Sequence, residues 1–311
     1  MPQPAPSFDQ LQVMLAVVEA GSFSGAARRL NRAQSAVTYA IQRLEEQLGT
    51  ALFDRTTYRP ALTEAGRSLL PRARLIADEM HALVDHAQGI AAGLEPELTL
   101  IVDAMFPMCV LVDALRTFGA RFPSVPPRIY VETLGGASEL VLNGTCALGL
   151  LMSFGSEFEA LQRRHLLDVT LIHVAAPSHP LSQIEGPLSR EELRRHVQLV
   201  LSDRSGLTGS RDYGVLSPQT WRLADLGAKH AMLTAGLGWG GMPAHLVADD
   251  LAAGRLRRLA IQPEGGGSDI ITLPVCTAYR RDRPLGPAGR WLLEHLGRMM
   301  ETNPDAARSV A

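Results

Sequence analysis

Along the first ninety residues apolar positions recur at helical spacing, and glycines break the pattern. Phe8, Leu11, Leu15 and Val18 form one stripe that Gly21 ends. Val37, Ile41, Leu44 and Leu48 fall at i, i+4, i+7 and i+11, which predicts a helix over 35–48 stopped by Gly49. A short Ala-rich helix over 24–30 precedes it, with Ser22 or Ser24 able to cap. Such a pair is either a plain helical hairpin or a helix-turn-helix, whose second helix can enter a DNA major groove. Opposite the apolar stripe stand Ser35, Thr38, Tyr39, Gln42 and Arg43, side chains that hydrogen-bond base edges and phosphates. Residues 51–62 read as a short two-stranded wing anchored by Leu52 and Phe53. Arg55, Thr56, Thr57 and Arg59 would then lie along phosphates, the plainer alternative being a solvated hairpin.

A long helix follows, capped by Thr63, with Glu64 in its first turn, and predicted to reach about Ala92. Leu69, Ala73, Ile76, Met80, Leu83 and Ala87 step along it by four and three. That heptad seam calls for the same helix of a second subunit. Pro71 should kink the helix or leave a gap in its hydrogen bonds. From residue 98 the pattern changes to strands alternating with helices. Strands are expected at 99–103, 128–132, 147–152, 168–176, 197–202, 219–223, 255–261 and 271–279. Helices are expected at 107–122, 137–143, 189–196, 224–235 and 286–300, with a capping box of Ser189 and Glu192. Gly135 and Gly136 read as a tight turn, and residues 236–243 as a glycine-rich turn before another helix. The alternation predicts open α/β sheets with a parallel majority.

In such sheets ligands sit beyond the carboxyl ends of strands. That rule selects Asp103, Ala104, Met105 and Phe106, the 133–137 loop with Gly136, then Ser202, Asp203 and Arg204, and 238–242 with Trp239. Arg204 could hold a carboxylate, Asp103 could accept from an amine or hydroxyl, and Trp239 or Phe106 could stack on a ring. The plainer alternatives are a surface ion pair for Arg204, a helix cap for Asp103 and a core position for Trp239.

Composition narrows the classes. A chain of 311 residues with 46% hydrophobic content suggests two or three domains. The net charge of −2 hides an asymmetry, since residues 1–74 hold nine arginines against six acids. Phosphate contact needs only such a local basic region. No run approaches the ~20 apolar residues of a membrane span, and MPQPAPSFDQ has no signal-peptide character, so a cytoplasmic protein is expected. Cys109, Cys146 and Cys276 are widely spaced and odd in number, which suits reduced thiols, although a redox sensor is the alternative. The nine histidines show no metal-ligand spacing, and the glycines at 236, 238, 240 and 241 lack the residues of a phosphate loop. No nucleophile–base arrangement or cofactor fingerprint is present, which argues against an enzyme controlled by its N-terminus. The missing signal peptide argues against a transporter's solute-binding protein.

Three stretches, FDQLQVMLAVVEAGSFSGAARRL, AVTYAIQRLEEQLGTALFDRT and LTEAGRSLLPRAR, closely resemble the DNA-binding domain of LysR-type transcriptional regulators over residues 8–66. Ala33 and Ser35 depart from the usual Ser and Pro, and Tyr39 from a frequent Arg. The remainder resembles, more loosely, the LysR-type effector domain, itself similar to type II periplasmic binding proteins; Ala147 departs from a frequent Asp. The resemblance implies a winged helix-turn-helix over 1–66, a linker and dimerisation helix over 63–94, and an α/β effector domain over 95–311. Lobe I would span about 95–167 and 270–300, and lobe II about 168–269. It implies DNA contacts by Gln34, Ser35, Thr38, Tyr39, Gln42, Arg43, Arg55 and Thr56, and dimerisation through Leu69, Ala73, Ile76, Met80 and Leu83. Partners would be operator DNA, a small-molecule effector and further copies of the chain, as a homodimer or a dimer of dimers (a homotetramer). RNA polymerase is a further partner the resemblance admits; no cofactor, metal or membrane is implied. Arg204 beside Ser202, with Phe106 and Trp239 near, suits a small organic acid as effector.

Overall fold

Ser7 opens the first helix with a reciprocal cap: its hydroxyl accepts the Gln10 N–H, and its own N–H donates to Gln10 Oε1 at 2.7 Å. The computed structural model describes residues 5–54, 60–153, 159–203, 205, 207, 213–262 and 270–302. The chain divides into two units, Met1–Gln88 and Gly89–Ala311.

In the first unit, α1 (Phe8–Ala20) ends where Gly21 takes the left-handed conformation, φ 63°. Ser22, rather than Ser24, caps α2 (Phe23–Arg29) by accepting the Gly25 N–H at 3.0 Å. The next helix, α3 (Gln34–Leu48), starts at Ala33, which has no side-chain oxygen to cap it, and ends at Gly49 with φ 68°. Val37, Ile41 and Leu44 are buried against Val13, Met14, Val17 and Ala26, while Leu48 stays exposed past the edge of that core. The strands β1 (Phe53–Asp54) and β2 (Ala61–Leu62) pair antiparallel as the wing. Arg55, Thr56, Thr57 and Arg59 lie outside the described residues. Thr63 caps α4 (Glu64–Ala91) by accepting the Gly66 N–H at 2.9 Å. A Cβ on Gly66 would stand 2.2 Å from the Leu52 carbonyl oxygen, so wing and helix meet only because that residue is glycine. The helix runs through Pro71, whose absent N–H costs one hydrogen bond.

The predicted seam on α4 divides. Ala73 is buried in the first unit's own core and Leu69 packs on it, so these two are covered without a second subunit. Ile76 (48% exposed) and Leu83 (61%) are open, Met80 is half-buried, and Leu75, Val84 and Ile90 extend the exposed apolar face.

The second unit begins with β3 (Leu98–Asp103), α5 (Met108–Arg121), β4 (Pro127–Glu132), α6 (Gly135–Leu142) and β5 (Leu148–Met152). A 15-residue strand, β6 (Leu161–Ala175), leads into α7 (Arg190–Arg194), β7 (Gln198–Leu201), β8 (Thr220–Leu223), α8 (Leu226–Thr234), β9 (Trp239–Pro243), α9 (Ala244–Ala252) and β10 (Arg257–Arg258). The return is β11 (Ile271–Arg280) and α10 (Pro287–Thr302). The capping box of Ser189 and Glu192 is present. Strand order is β4-β3-β5-β11-β6-β9-β7-β8, with β10 on β6. Among the described strands, parallel pairing is confined to the two flanks, β4-β3-β5 and β9-β7-β8, beside one isolated parallel bridge between Leu188 and Ile261. Every described pairing of β6 and β11 is antiparallel, because one strand leaves the first lobe and the other returns to it. The expected parallel majority is therefore replaced by an antiparallel spine shared by both lobes.

Two local readings change for stated reasons. Residues 161–167 belong to β6, where a bulge sets Leu166 and Leu167 inward in succession and spoils the alternation. Residues 239–243 form a strand rather than a turn. The missing Cβ atoms of Gly238 and Gly240 would stand 2.7 and 2.5 Å from the carbonyl oxygens of Val197 and Leu199, so glycine lets β7 approach closely. That close neighbour, rather than a ligand, accounts for the glycine run. Gly135 and Gly136 likewise sit inside the first turn of α6.

Candidate functional site

The first candidate surface is the solvent face of α3. Burying Val37, Ile41 and Leu44 turns Gln34, Ser35, Tyr39 and Gln42 outward, with Tyr39 64% exposed. Thr38 and Arg43 are half-buried. The Thr38 hydroxyl donates back to the Gln34 carbonyl at 3.0 Å. Arg43 forms an ion pair with Glu46 at 2.7 Å, so an acid lies beside a face that sequence reading had as free of acids. Arg32, in the turn before α3, holds Asp9 through two hydrogen bonds of 2.9 and 2.6 Å, and the guanidinium keeps that carboxyl below its usual range. Sequence reading missed Glu45: its Oε1 accepts the N–H groups of both Leu52 (2.8 Å) and Phe53 (3.1 Å), tying the wing to α3.

The second candidate lies where the two lobes meet. A cavity of about 220 Å³ is bounded by Met105 and Leu134 from the first lobe, Leu171 and Leu273 at the strand crossing, and Leu199 and Lys229 from the second. It is smaller than the roughly 300–1,000 Å³ typical of drug-sized sites, so its occupant is small. Leu226 separates it from a wider recess of about 400 Å³ lined by Ala104, Glu132, Thr133, Asp225 and His230.

The structure sorts the expected ligand residues. Met105 lines the cavity and Ala104 the wider recess. Asp103 is fully buried, and its two oxygens accept the N–H groups of Met105 (2.9 Å) and Leu134 (3.0 Å). With both oxygens engaged it positions two loops rather than offering an acceptor, and burial pushes its carboxyl up to about 7. The bond at Leu134 holds that residue at φ 54°, a conformation that costs a non-glycine residue about 1–3 kcal/mol. Phe106 is buried in the main core, so it cannot stack on a ligand there. Trp239 is buried in a separate cluster with Leu181, Leu188 and Leu193, its indole N–H directed at the His196 carbonyl, which returns it to a core role. Gly136 and Asp203 do meet: the Gly136 N–H donates to Asp203 Oδ1 at 3.1 Å, a bond between lobes. Asp203 also accepts from the Ser205 N–H and hydroxyl. The Ser202 N–H donates to Leu223, and Arg204 lies outside the described residues.

Lys229 went unremarked in the sequence although it is the chain's only lysine among 30 Lys and Arg residues. It shares the buried stripe of α8 with Leu226 and Leu233, at i, i+3 and i+7, where an apolar residue is the rule. The residue is 5% exposed, and its ammonium donates to the Gly241 carbonyl at 2.7 Å. Burial pulls its pKa down to about 8. Among the described residues no carboxylate pairs with it. Gln198 fixes the adjoining cavity wall: its side chain donates to the Gly214 carbonyl and accepts from Leu216 and Ser217.

A helix-turn-helix unit in one chain with a two-lobed unit enclosing a small-molecule cleft defines an effector-controlled transcription regulator. The comparisons with known proteins agree. The model described as the LysR substrate binding domain matches residues 91–301, and that of the bacterial regulatory helix-turn-helix protein, lysR family, matches residues 8–67. The chain belongs to the LysR family of transcriptional regulators, whose members are regulators rather than enzymes. It is 31% identical over 301 residues to the probable HTH-type transcriptional regulator YhaJ of Escherichia coli, covering 94% of this chain and 96% of that one. To the regulator AceR of Acinetobacter baumannii it is 28% identical, covering 93% and 95%. A full-length OxyR cysteine mutant of Corynebacterium glutamicum shares the fold at a TM-score of 0.54 and 22% identity, covering 99% of this chain and 98% of that one.

Proposed function

We propose that the chain is a cytoplasmic regulator whose operator binding is switched by a small organic acid in the inter-lobe cavity. The observation that carries this reading is the cavity's place: its wall includes Leu171 and Leu273, on the two strands that cross between lobes. An occupant there touches both lobes at once, so it favours whichever lobe arrangement it fits, and its differential affinity is the switching energy. The operator would be read by Gln34, Ser35, Thr38, Tyr39, Gln42 and Arg43 from α3, with Arg55 and Thr56 on phosphates. The exposed apolar face of α4, with Ile76, Met80 and Leu83, would join two chains into a dimer, and pairs of dimers would bind longer operators. RNA polymerase would be met at the promoter. Domain limits of 1–66, 63–94 and 95–311 go with this reading. Among the described residues no helix is long and apolar enough to cross a membrane.

The test incubates purified protein with DNA fragments flanking its own gene, then titrates small acids. A retarded fragment whose affinity changes with one acid is the expected result. Selective binding that no small molecule alters while thermal shift reports one bound would sink the switching proposal.

A further inference from the structure

We infer that Lys229 is the charged anchor of the inter-lobe cavity, taking the carboxylate of a small monoanion whose body lies against apolar walls. This rests on the cavity being the effector site. An ammonium carries three donors. Gly241 accepts one, and among the described residues nothing accepts the other two. A buried cation with one of three donors met and no acid beside it is costly unless something completes it. The cavity supplies the room, since Lys229 and Gly241 both line it. Gly240 supplies the path: a Cβ there would stand 3.3 Å from Lys229 Cε, tight against the lysine stem. Leu134, Leu171, Leu226 and Leu273 give the cavity its apolar walls, and Gln198, His173 and Tyr213 are the polar side chains among them. His173 and Tyr213 are the other titratable groups on the wall, and α8 adds Asp225, which caps its N-terminus, and His230, which bonds Asp250. None of these places a carboxylate on the ammonium. An arginine would bring five donors into the same small space.

The single lysine makes the test direct. Full-length protein is grown with ¹³C-labelled lysine, which marks one side chain in the whole chain. Small cyclic and branched monocarboxylates are added, each matched with its neutral primary amide. The expected result is that an acid raises the melting temperature while its amide does not. That acid shifts the Lys229 ε-carbon signal and moves its titration midpoint upward from about 8, since a bound anion favours the charged form. Lys229→Met should fold, melt no lower than wild type, and bind the acid about ten- to a hundred-fold more weakly. An acid that stabilises Lys229→Met as well as wild type overturns the assignment, as does a lysine signal unmoved at saturation. Leu273→Trp fills the cavity and separates the two levels of the claim. Binding that survives Lys229→Met but is lost in Leu273→Trp removes the lysine and keeps the cleft. Binding that survives both removes the cleft as well.

Discussion

The two units place their polar chemistry differently. On α3, Gln34, Ser35, Tyr39 and Gln42 stand in solvent. Around the cavity, Asp103, Gln198 and Asp203 are committed to backbone N–H and carbonyl groups. A surface that meets a large polyanion can leave its donors hydrated until the partner arrives. A cleft in low dielectric does so only at a cost of about 1–3 kcal/mol for each unmet polar group, and Lys229 is the cavity residue proposed to carry that cost. Substitutions in the first unit should therefore change binding and leave stability alone, while polar substitutions in the second should do the reverse.

The largest departure from that rule is expected on α4, where the exposed side chains are apolar. Ile76→Asp or Leu83→Asp should leave monomer melting unchanged but weaken self-association by at least about 3 kcal/mol, the cost of a buried unpaired carboxylate. Light scattering across a dilution series checks it; an unchanged mass at low concentration would mean the helix has another partner. Next comes Asp103→Ala, which strips acceptors from two buried N–H groups and should destabilise the effector unit by about 2–5 kcal/mol, with operator binding retained in the cold. The pH dependence sharpens this. The folded pKa of about 7 lies above the carboxylate's ordinary 3.8, so the folded state holds an extra proton between those values. The contribution of Asp103 should therefore fall as pH rises from about 4 to 7 and stay level above. The stability difference between wild type and Asp103→Asn, measured by denaturant unfolding across that window, should follow the same course. A difference independent of pH would show the carboxyl to be ionised throughout.

Smaller effects belong to the DNA face. Gln42→Ala should cost about 1–3 kcal/mol at one base position and relax preference there, with the melting temperature unmoved. The smallest is Arg55→Ala, which should weaken all sequences alike and reduce the salt slope by about one. Anisotropy titrations at several salt concentrations distinguish the two. Equal losses on every base variant for Gln42→Ala would remove it from base reading.

Most of the first unit was legible because its signals are local: Gly21 and Gly49 stop helices, and Ser22 and Thr63 start them. The second unit was legible in its order of elements but not in its spine. Whether residues 239–243 turn or extend depends on the neighbouring strand and not on their own glycines. The β6 bulge hid seven residues of strand behind a broken alternation. Trp239 and Phe106 were plausible ring partners by position along the chain, and only packing shows them facing the cores. Lys229 was visible as a lone lysine on an apolar helical stripe, yet the sequence could not say that the stripe faces a cavity.

Glu45 has a consequence for operator architecture. One oxygen of a recognition-helix residue holds the first residues of the wing, and Gly66 brings the wing's other end against Leu52. The base of the wing is thereby tied to α3, so on the proposed reading the span between a groove contact and its neighbouring wing contact would be fixed in base pairs. On that reading, operators of this regulator would tolerate changes in the gap between half-sites better than changes inside one. A single base pair inserted inside a half-site would move one contact away from the other, with Glu45 holding the base of the wing against α3.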